Sequence, residues 1–284
     1  MKKLKYFLEY LIVKIFFFIF SIMGYKLSSN IGGIIGKTFG PFFRSKIIIF
    51  KNLQIAKIEN NIQKKIINKM WENYGRIFSE YPHLFKFKNN KFSNYIKIEG
   101  TEYLEEIKKK GKPVVFVSGH FNNFELMAMQ IENYGIDLAA IYRPLNNIYL
   151  NSTMEKIRIS HICKNQIPKG RSGTRKILEF FKKGTSIALM IDQRVSEGVK
   201  VNFFEKLAYT TSIPAQLFKK FDCEIVPIYV ERFDNYFFNI IVNKPLKFDK
   251  SYSIEEISEK LNKTLEAMII NNPEQWIWTH NRWK

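Results

Sequence analysis

Beyond residue 90 the chain alternates: short apolar runs bounded by turn residues take turns with stretches of helical periodicity. The runs at 95–98, 113–118, 137–142, 186–191, 225–231 and 236–242 read as strands. Helical patterns fall near 101–110, 124–134, 147–160, 172–183 and 211–221, with a last one at 253–271. Helices that alternate with strands in this way cover the faces of a sheet. The expectation is an α/β fold with a mixed, mostly parallel sheet flanked by helices. The last two strands, joined by the short RFDN connection from Arg232 to Asn235, should pair antiparallel. Ligands of such sheets gather at the carboxyl ends of the strands.

The region before the sheet reads as helical. Residues 46–80 carry Ile47, Phe50, Leu53, Ile58, Ile62, Ile66, Met70 and Tyr74 near helical spacing and read as one helix. SSNIGGIIGKTFGPFF offers capping residues and then a glycine-rich helical segment that Pro41 helps to end. At the N-terminus, Lys2, Lys3 and Lys5 precede LEYLIVKIFFFIFSIMG, apolar except for Glu9 and Lys14. A helix from Leu8 to Met23 would be about 24 Å long, short of a hydrocarbon core of about 30 Å. No small-residue cleavage site follows the run, and Lys14 splits it, which weighs against a removed signal. The reading favoured is a retained anchor that lies in or shallowly crosses one leaflet; a buried N-terminal helix is the alternative. The chain therefore divides into an N-terminal membrane-anchoring helix over 1–25 and a body over 26–284, helical at 26–90 and α/β at 91–284.

The charge balance is unusual. Lys and Arg number 45 against 26 Asp and Glu, a net charge of +19. Such an excess points to a partner of opposite sign, nucleic acid or an anionic membrane, although part of it accompanies a composition rich in Lys, Asn and Ile. Cys163 and Cys223 sit among apolar residues and read as small buried hydrophobes.

Several chemistries lack their residues. GGIIGKT, from Gly32 to Thr38, resembles a phosphate-binding loop, but Ile31 stands where the pattern needs glycine, and no strand precedes it. His83, His120, His161 and His280 show no metal-ligand spacing, and neither HExxH nor G-x-S-x-G occurs. The sequence also lacks the aromatic and glycine-clamp motifs of RNA-binding modules.

The stretch VVFVSGHFNNFELMAM, from Val114 to Met129, carries the most chemistry. A buried strand ends at Ser118-Gly119, and His120 follows where it can project into a crevice. Asn122 or Asn123 should cap the next helix, which puts Glu125 in its first turn, where the helix dipole favours the carboxylate. A carboxylate within reach of an imidazole fixes its tautomer and raises its basicity, so the pair has the makings of a base for an alcohol. No Ser or Cys nucleophile is needed if the substrate brings its own hydroxyl and the other reactant is activated, as a thioester is. On spacing alone, a satisfied structural pair accounts for these two residues equally well.

The neighbouring segments tip that balance. SGHFNNFELM resembles the His-x4-Asp/Glu motif of the lysophospholipid acyltransferase superfamily. IYRPLNN (Ile141 to Asn147), ALMIDQR (Ala188 to Arg194), VNFFEKLAYTT (Val201 to Thr211), IVPIYVER (Ile225 to Arg232) and PEQWIWTHNRWK (Pro273 to Lys284) resemble, in order, the lipid A biosynthesis acyltransferases, the lauroyl/myristoyl transferase family. Two departures stand out: Asn123-Phe124 replaces the common Asn-Trp, and NFFEKLA replaces Phe-Phe-Gly.

The resemblance implies transfer of a fatty acyl chain to a hydroxyl of a lipid A precursor or related glycolipid. The donor would be an acyl carrier protein thioester or acyl-CoA, with no further cofactor and no metal. His120 would be the base, and Glu125 would orient it and stabilise the imidazolium. Arg143, just past a strand, would hold a phosphate or the developing oxyanion. Asp192 and Gln193 follow another strand at the same sheet end, and Asp192 reads as organising an arginine or the loop. Arg171 and Arg175 are candidate phosphate contacts, with a solvated helix face as the plainer reading. Trp276, Trp278 and Trp283 are interfacial aromatics or core, and His280 has no catalytic part. The implied partners are acyl carrier protein, the glycolipid and an anionic inner-membrane surface at the cytoplasmic face, with no nucleic acid. A lysophospholipid or glycosylated phosphatidylinositol acceptor keeps the same chemistry. A non-enzymatic basic protein that binds membrane or RNA would explain the charge but leave the motifs unexplained.

Overall fold

A computed structural model of the protein describes residues 2–284, and for Arg171 the backbone alone. Five helices precede the sheet: α1 (Lys2–Met23), α2 (Tyr25–Phe39), α3 (Lys46–Ile55), α4 (Asn60–Glu80) and α5 (Leu84–Lys88). The anchor expected over 1–25 corresponds to α1, with Met1 outside the described residues. The helix starts further back than the apolar run alone indicates. Its 22 residues give a rod of about 33 Å, so by length and composition alone it could cross a membrane. Its side chains are mostly exposed, and Phe20 is the one that is buried.

Glycines let α2 and α4 meet at backbone distance. A Cβ on Gly75 would lie 1.9 Å from the Gly32 carbonyl oxygen, and one on Gly36 would lie 2.3 Å from that of Trp71. The GGIIGKT glycines therefore serve a helix crossing. The single helix expected over 46–80 is two, because Lys57 turns left-handed at φ 56°. The Lys57 amide donates to the Gln54 carbonyl and the Ile58 amide to the Leu53 carbonyl, which closes α3 in a Schellman motif. Glycine usually marks that position, and a lysine there leaves no signal in the sequence.

The main sheet contains β1 (Ile96–Glu99), β2 (Val115–Ser118), β3 (Leu138–Tyr142), β4 (Asn165–Pro168), β5 (Ser186–Met190), β8 (Ile225–Phe233) and β9 (Phe237–Val242), in the order β1-β9-β8-β2-β5-β3-β4. Strands β8, β2, β5, β3 and β4 run parallel; β9 is antiparallel to β8, and β1 is parallel to β9. The mixed, mostly parallel sheet expected from the alternation is present. The helices between strands are α6 (Thr101–Lys110), α7 (Glu125–Asn133), α8 (Ile148–His161), α9 (Arg171–Lys182) and α10 (Ile213–Phe221), and α11 (Ile254–Asn271) follows β9.

Two features were not legible as strands. β4, the sequence NQIP, is too short and polar to signal itself. β6 (Val199–Phe203) and β7 (Lys206–Thr210) form a separate hairpin whose turn residues, Phe204 and Glu205, both have positive φ. Such turns normally use Asn-Gly or Asp-Gly, and NFFEKLA makes one without glycine. Asn147 caps α8 by accepting from the Tyr149 and Leu150 amides. Its Nδ2 donates to the Tyr6 carbonyl and to Glu9 Oε2, at 2.9 and 3.0 Å, which ties α1 to the start of α8.

Candidate active site

The site is set by sheet register. β2 and β5 are parallel neighbours with Ser118 opposite Met190, and the Ile191 amide extends the ladder to the Ser118 carbonyl at 2.8 Å. Two residues past each strand end stand His120 and Asp192, at one carboxyl edge of the sheet. Asp192 Oδ1 accepts from His120 Nδ1 at 2.8 Å. Its Oδ2 accepts from the His120 amide at 2.8 Å and from Trp276 Nε1 at 2.9 Å. The carboxylate is buried and receives three N–H groups.

This geometry corrects the role expected of Glu125. Its Oε1 accepts from Tyr81 Oη at 2.5 Å and from Arg158 Nε and Nη2 at 2.9 and 2.8 Å. Glu125 does sit in the first turn of α7 and faces the same cavity as His120, but the imidazole donates its hydrogen bond to Asp192. Of the role expected of Asp192, the loop part holds, since its Oδ2 accepts from the His120 amide, but its side-chain partner is the imidazole and not an arginine. The two-residue offset past paired strands, 72 positions apart in sequence, puts Asp192 closer to the ring than the acid five positions away. Nor do the asparagines cap α7, since no side chain caps it. Asn123 Nδ2 donates to Glu80 Oε2 at 3.0 Å, and Asn122 bonds to Gln275, so the turn is strapped to α4 and to the C-terminal segment. Glu80 is itself buried in an ion pair with Arg232.

The electrostatics follow from these contacts. Burial pushes His120 down, but the Asp192 charge and its hydrogen bond outweigh burial, so His120 lies above its ordinary value. Burial would raise Asp192, yet the imidazole and three donated hydrogen bonds hold it below the usual carboxylate range. Arg158 is raised: burial works against it, and Glu125 and Tyr81 more than compensate. With Nδ1 donating to a carboxylate, the lone pair of His120 sits on Nε2. Gln193 Nε2 is 3.5 Å from that nitrogen, at the outer limit of a hydrogen bond.

His120 opens onto a cavity of about 600 Å³, within the range of ligand-binding sites. Much of its buried wall is apolar, built by Phe116, Met127, Ile131 and Ile162, with Ser118 and Glu125 as polar groups beside His120, and its exposed rim is basic, with Arg44, Arg143 and Lys169. Burial and the neighbouring Arg143 lower the Lys169 ammonium. A second cavity, of about 140 Å³, lies between α4 and the C-terminal segment and also touches His120. Arg143 and Gln193 thus join His120, Asp192 and Glu125 at one site. Arg175 does not: it is exposed on α9 and pairs with Glu179 at 3.1 Å, the solvated-face arrangement. The Arg171 side chain lies outside the described residues. Trp276, Trp278 and Trp283 are buried core, and His280 Nε2 accepts from the Arg194 amide at 2.9 Å. Arg158, Tyr81, Arg44 and Lys169 were missed; each comes from a different element, with no local pattern to flag it.

An imidazole held by a buried acid at the edge of a cavity is an arrangement that can serve as a general base. Comparison with known proteins supplies the family. The model of the bacterial lipid A biosynthesis acyltransferases matches residues 1–284, and the chain belongs to that family. A lipid A biosynthesis palmitoleoyltransferase of Escherichia coli K12 is 23% identical over 269 residues, 92% of this chain and 86% of that protein. A lipid A biosynthesis lauroyltransferase of the same strain is 24% identical over 272 residues, again 92% and 86% of the two chains. A lipid A biosynthesis acyltransferase of Haemophilus influenzae is 23% identical over 266 residues, 88% of this chain and 83% of that one. Among solved structures, the 1-acyl-sn-glycerophosphate acyltransferase PlsC of Thermotoga maritima aligns over 96% of this chain and 99% of its own, at 14% identity and a TM-score of 0.43. The protein is an O-acyltransferase of the lipid A type.

Proposed function

We propose that the protein transfers a fatty acyl chain from an acyl carrier protein thioester to a hydroxyl of a lipid A precursor, at the cytoplasmic face of the inner membrane. The observation that carries this reading is the His120–Asp192 pair, with Nε2 as its free base, at the edge of a cavity with a largely apolar wall and a basic rim. His120 Nε2 takes the proton of the acceptor hydroxyl as its oxygen attacks the thioester carbonyl. The tetrahedral intermediate expels the thiolate, which leaves with the proton held on the imidazolium, so charge and protons balance. Asp192 keeps the ring in the productive tautomer and stabilises the imidazolium. Glu125 acts one step away: its charge favours protonated His120, and it fixes Arg158 at the cavity wall. Arg143 and Lys169 supply positive charge for a phosphate or for the developing oxyanion. The helix α1 holds the enzyme to an anionic leaflet, and the excess of basic residues suits the membrane, a phosphorylated glycolipid and an acidic carrier alike.

Purified protein should move acyl groups from acyl carrier protein to a lipid A precursor, and His120→Ala should abolish turnover without loss of fold. A fully active His120→Ala enzyme would overturn the mechanism. Mass spectrometry of cellular lipids after gene deletion tests the acceptor: lipid A should lack one acyl chain, and unchanged lipid A would exclude this acceptor.

A further inference from the structure

The connection between α2 and α3 exposes an apolar edge that the fold does not need. Phe42 is 83% exposed, Phe43 75% and Ile47 80%. The segment is shaped rather than loose. Gly40–Phe42 form a 3-10 turn, and the Ser45 hydroxyl caps α3 by accepting from the Ile48 amide at 3.5 Å. On α3, Ile49 and Leu53 point into the core, which leaves Ile47 and Phe50 on the outside.

Charge identifies what such an edge would meet. Every charged residue from Tyr10 to Ile58 is Lys or Arg. Arg44 and Lys46 sit directly beside the aromatic pair, both exposed. Exposed aromatic and aliphatic side chains flanked only by cations are what an anionic leaflet binds, the rings entering the acyl boundary and the cations meeting head groups. Position adds a purpose. Arg44 lines the rim of the catalytic cavity, as do Arg143, Pro144, Leu145 and Asn146. The latter run into Asn147, which holds α1 through Tyr6 and Glu9. Two apolar approaches, α1 and the Phe42–Phe43 edge, therefore reach the rim of one cavity.

We infer that Phe42, Phe43 and Ile47 form a second membrane-inserting element, separate from α1, that seats the cavity rim in an anionic phospholipid leaflet. It rests on the reading of the protein as a membrane enzyme, and it adds a route: a lipid acceptor passes from the leaflet into the cavity without crossing water.

The test uses the full-length chain. Both native cysteines are buried, so a polarity-sensitive dye can be placed on Phe42→Cys, on Phe43→Cys, and on Lys109→Cys of α6 as a control. The protein is mixed with vesicles containing phosphatidylglycerol, with or without lipids that carry a nitroxide on the acyl chain. Dyes at 42 and 43 should shift to the blue and be quenched by the nitroxide lipid, and the dye at 109 should not respond. The unlabelled Phe42→Asp/Phe43→Asp chain should bind these vesicles about tenfold or more weakly, since two rings lose their apolar burial. Failure of the wild-type chain to float with vesicles would overturn the membrane reading itself. Flotation of the wild type with no quenching at 42 or 43 would overturn this inference alone. A dye response that follows protein concentration without vesicles would assign the edge to contact between two copies of the chain, and would also overturn it.

Discussion

Asp192→Asn is the sharpest test of which acid serves His120. The aspartate accepts from His120 Nδ1 on Oδ1, and from the His120 amide and Trp276 Nε1 on Oδ2. An asparagine has one acceptor oxygen for these three donors. If that oxygen takes the Oδ2 place, the new NH₂ faces Nδ1, and the ring can satisfy it only by moving its own hydrogen to Nε2. A protonated Nε2 is no base. With the amide turned the other way, two N–H groups face an NH₂, at about 1–3 kcal/mol for each donor left buried and unpaired. The first arrangement strands fewer donors, so the wrong tautomer should dominate. The expected loss in kcat is about 10²–10⁴-fold, the contribution of a positioned base, or roughly 3–5 kcal/mol of barrier. The assay is transfer of labelled acyl groups from acyl carrier protein, with near-UV circular dichroism to confirm that Trp276 keeps its environment. An Asp192→Asn enzyme within about threefold of wild type in kcat/KM, with an unchanged pH profile, would refute the pairing.

Three further outcomes are expected. His120 acts only when neutral and is held above its ordinary 6.5, so the rate should rise with pH through a limb above that value and be lost as pH falls through it. In Asp192→Asn, burial persists while the larger raising causes are gone and only the Glu125 charge remains, so residual activity should titrate at lower pH. Arg158→Met leaves the Glu125 carboxylate buried without its cation, and should lower unfolding stability by about 3–5 kcal/mol. Glu125→Gln combined with Arg158→Met should recover part of that loss in chemical denaturation. Gly75→Ala sets a methyl 1.9 Å from the Gly32 carbonyl oxygen, and should cost about 1–3 kcal/mol or more through overpacking of α2 on α4, read as a lowered Tm.

The parallel sheet was written in the sequence because burial on both faces demands continuous apolar runs, as in the fully buried VFVS of β2. The position of His120 was legible for the same reason, since a strand that stops at Ser118-Gly119 has to leave the next side chain at the sheet edge. What the sequence could not carry was which strands are neighbours. Strand order put β5 beside β2, and register set Ser118 against Met190. That register makes Asp192 the acid on the imidazole, while the placement of α8 near α7 gives Glu125 to Arg158, a residue 33 positions away. Local pattern reports a periodicity that each segment must satisfy alone. Partnership between segments depends on how several faces are covered at once, and only the folded chain settles that.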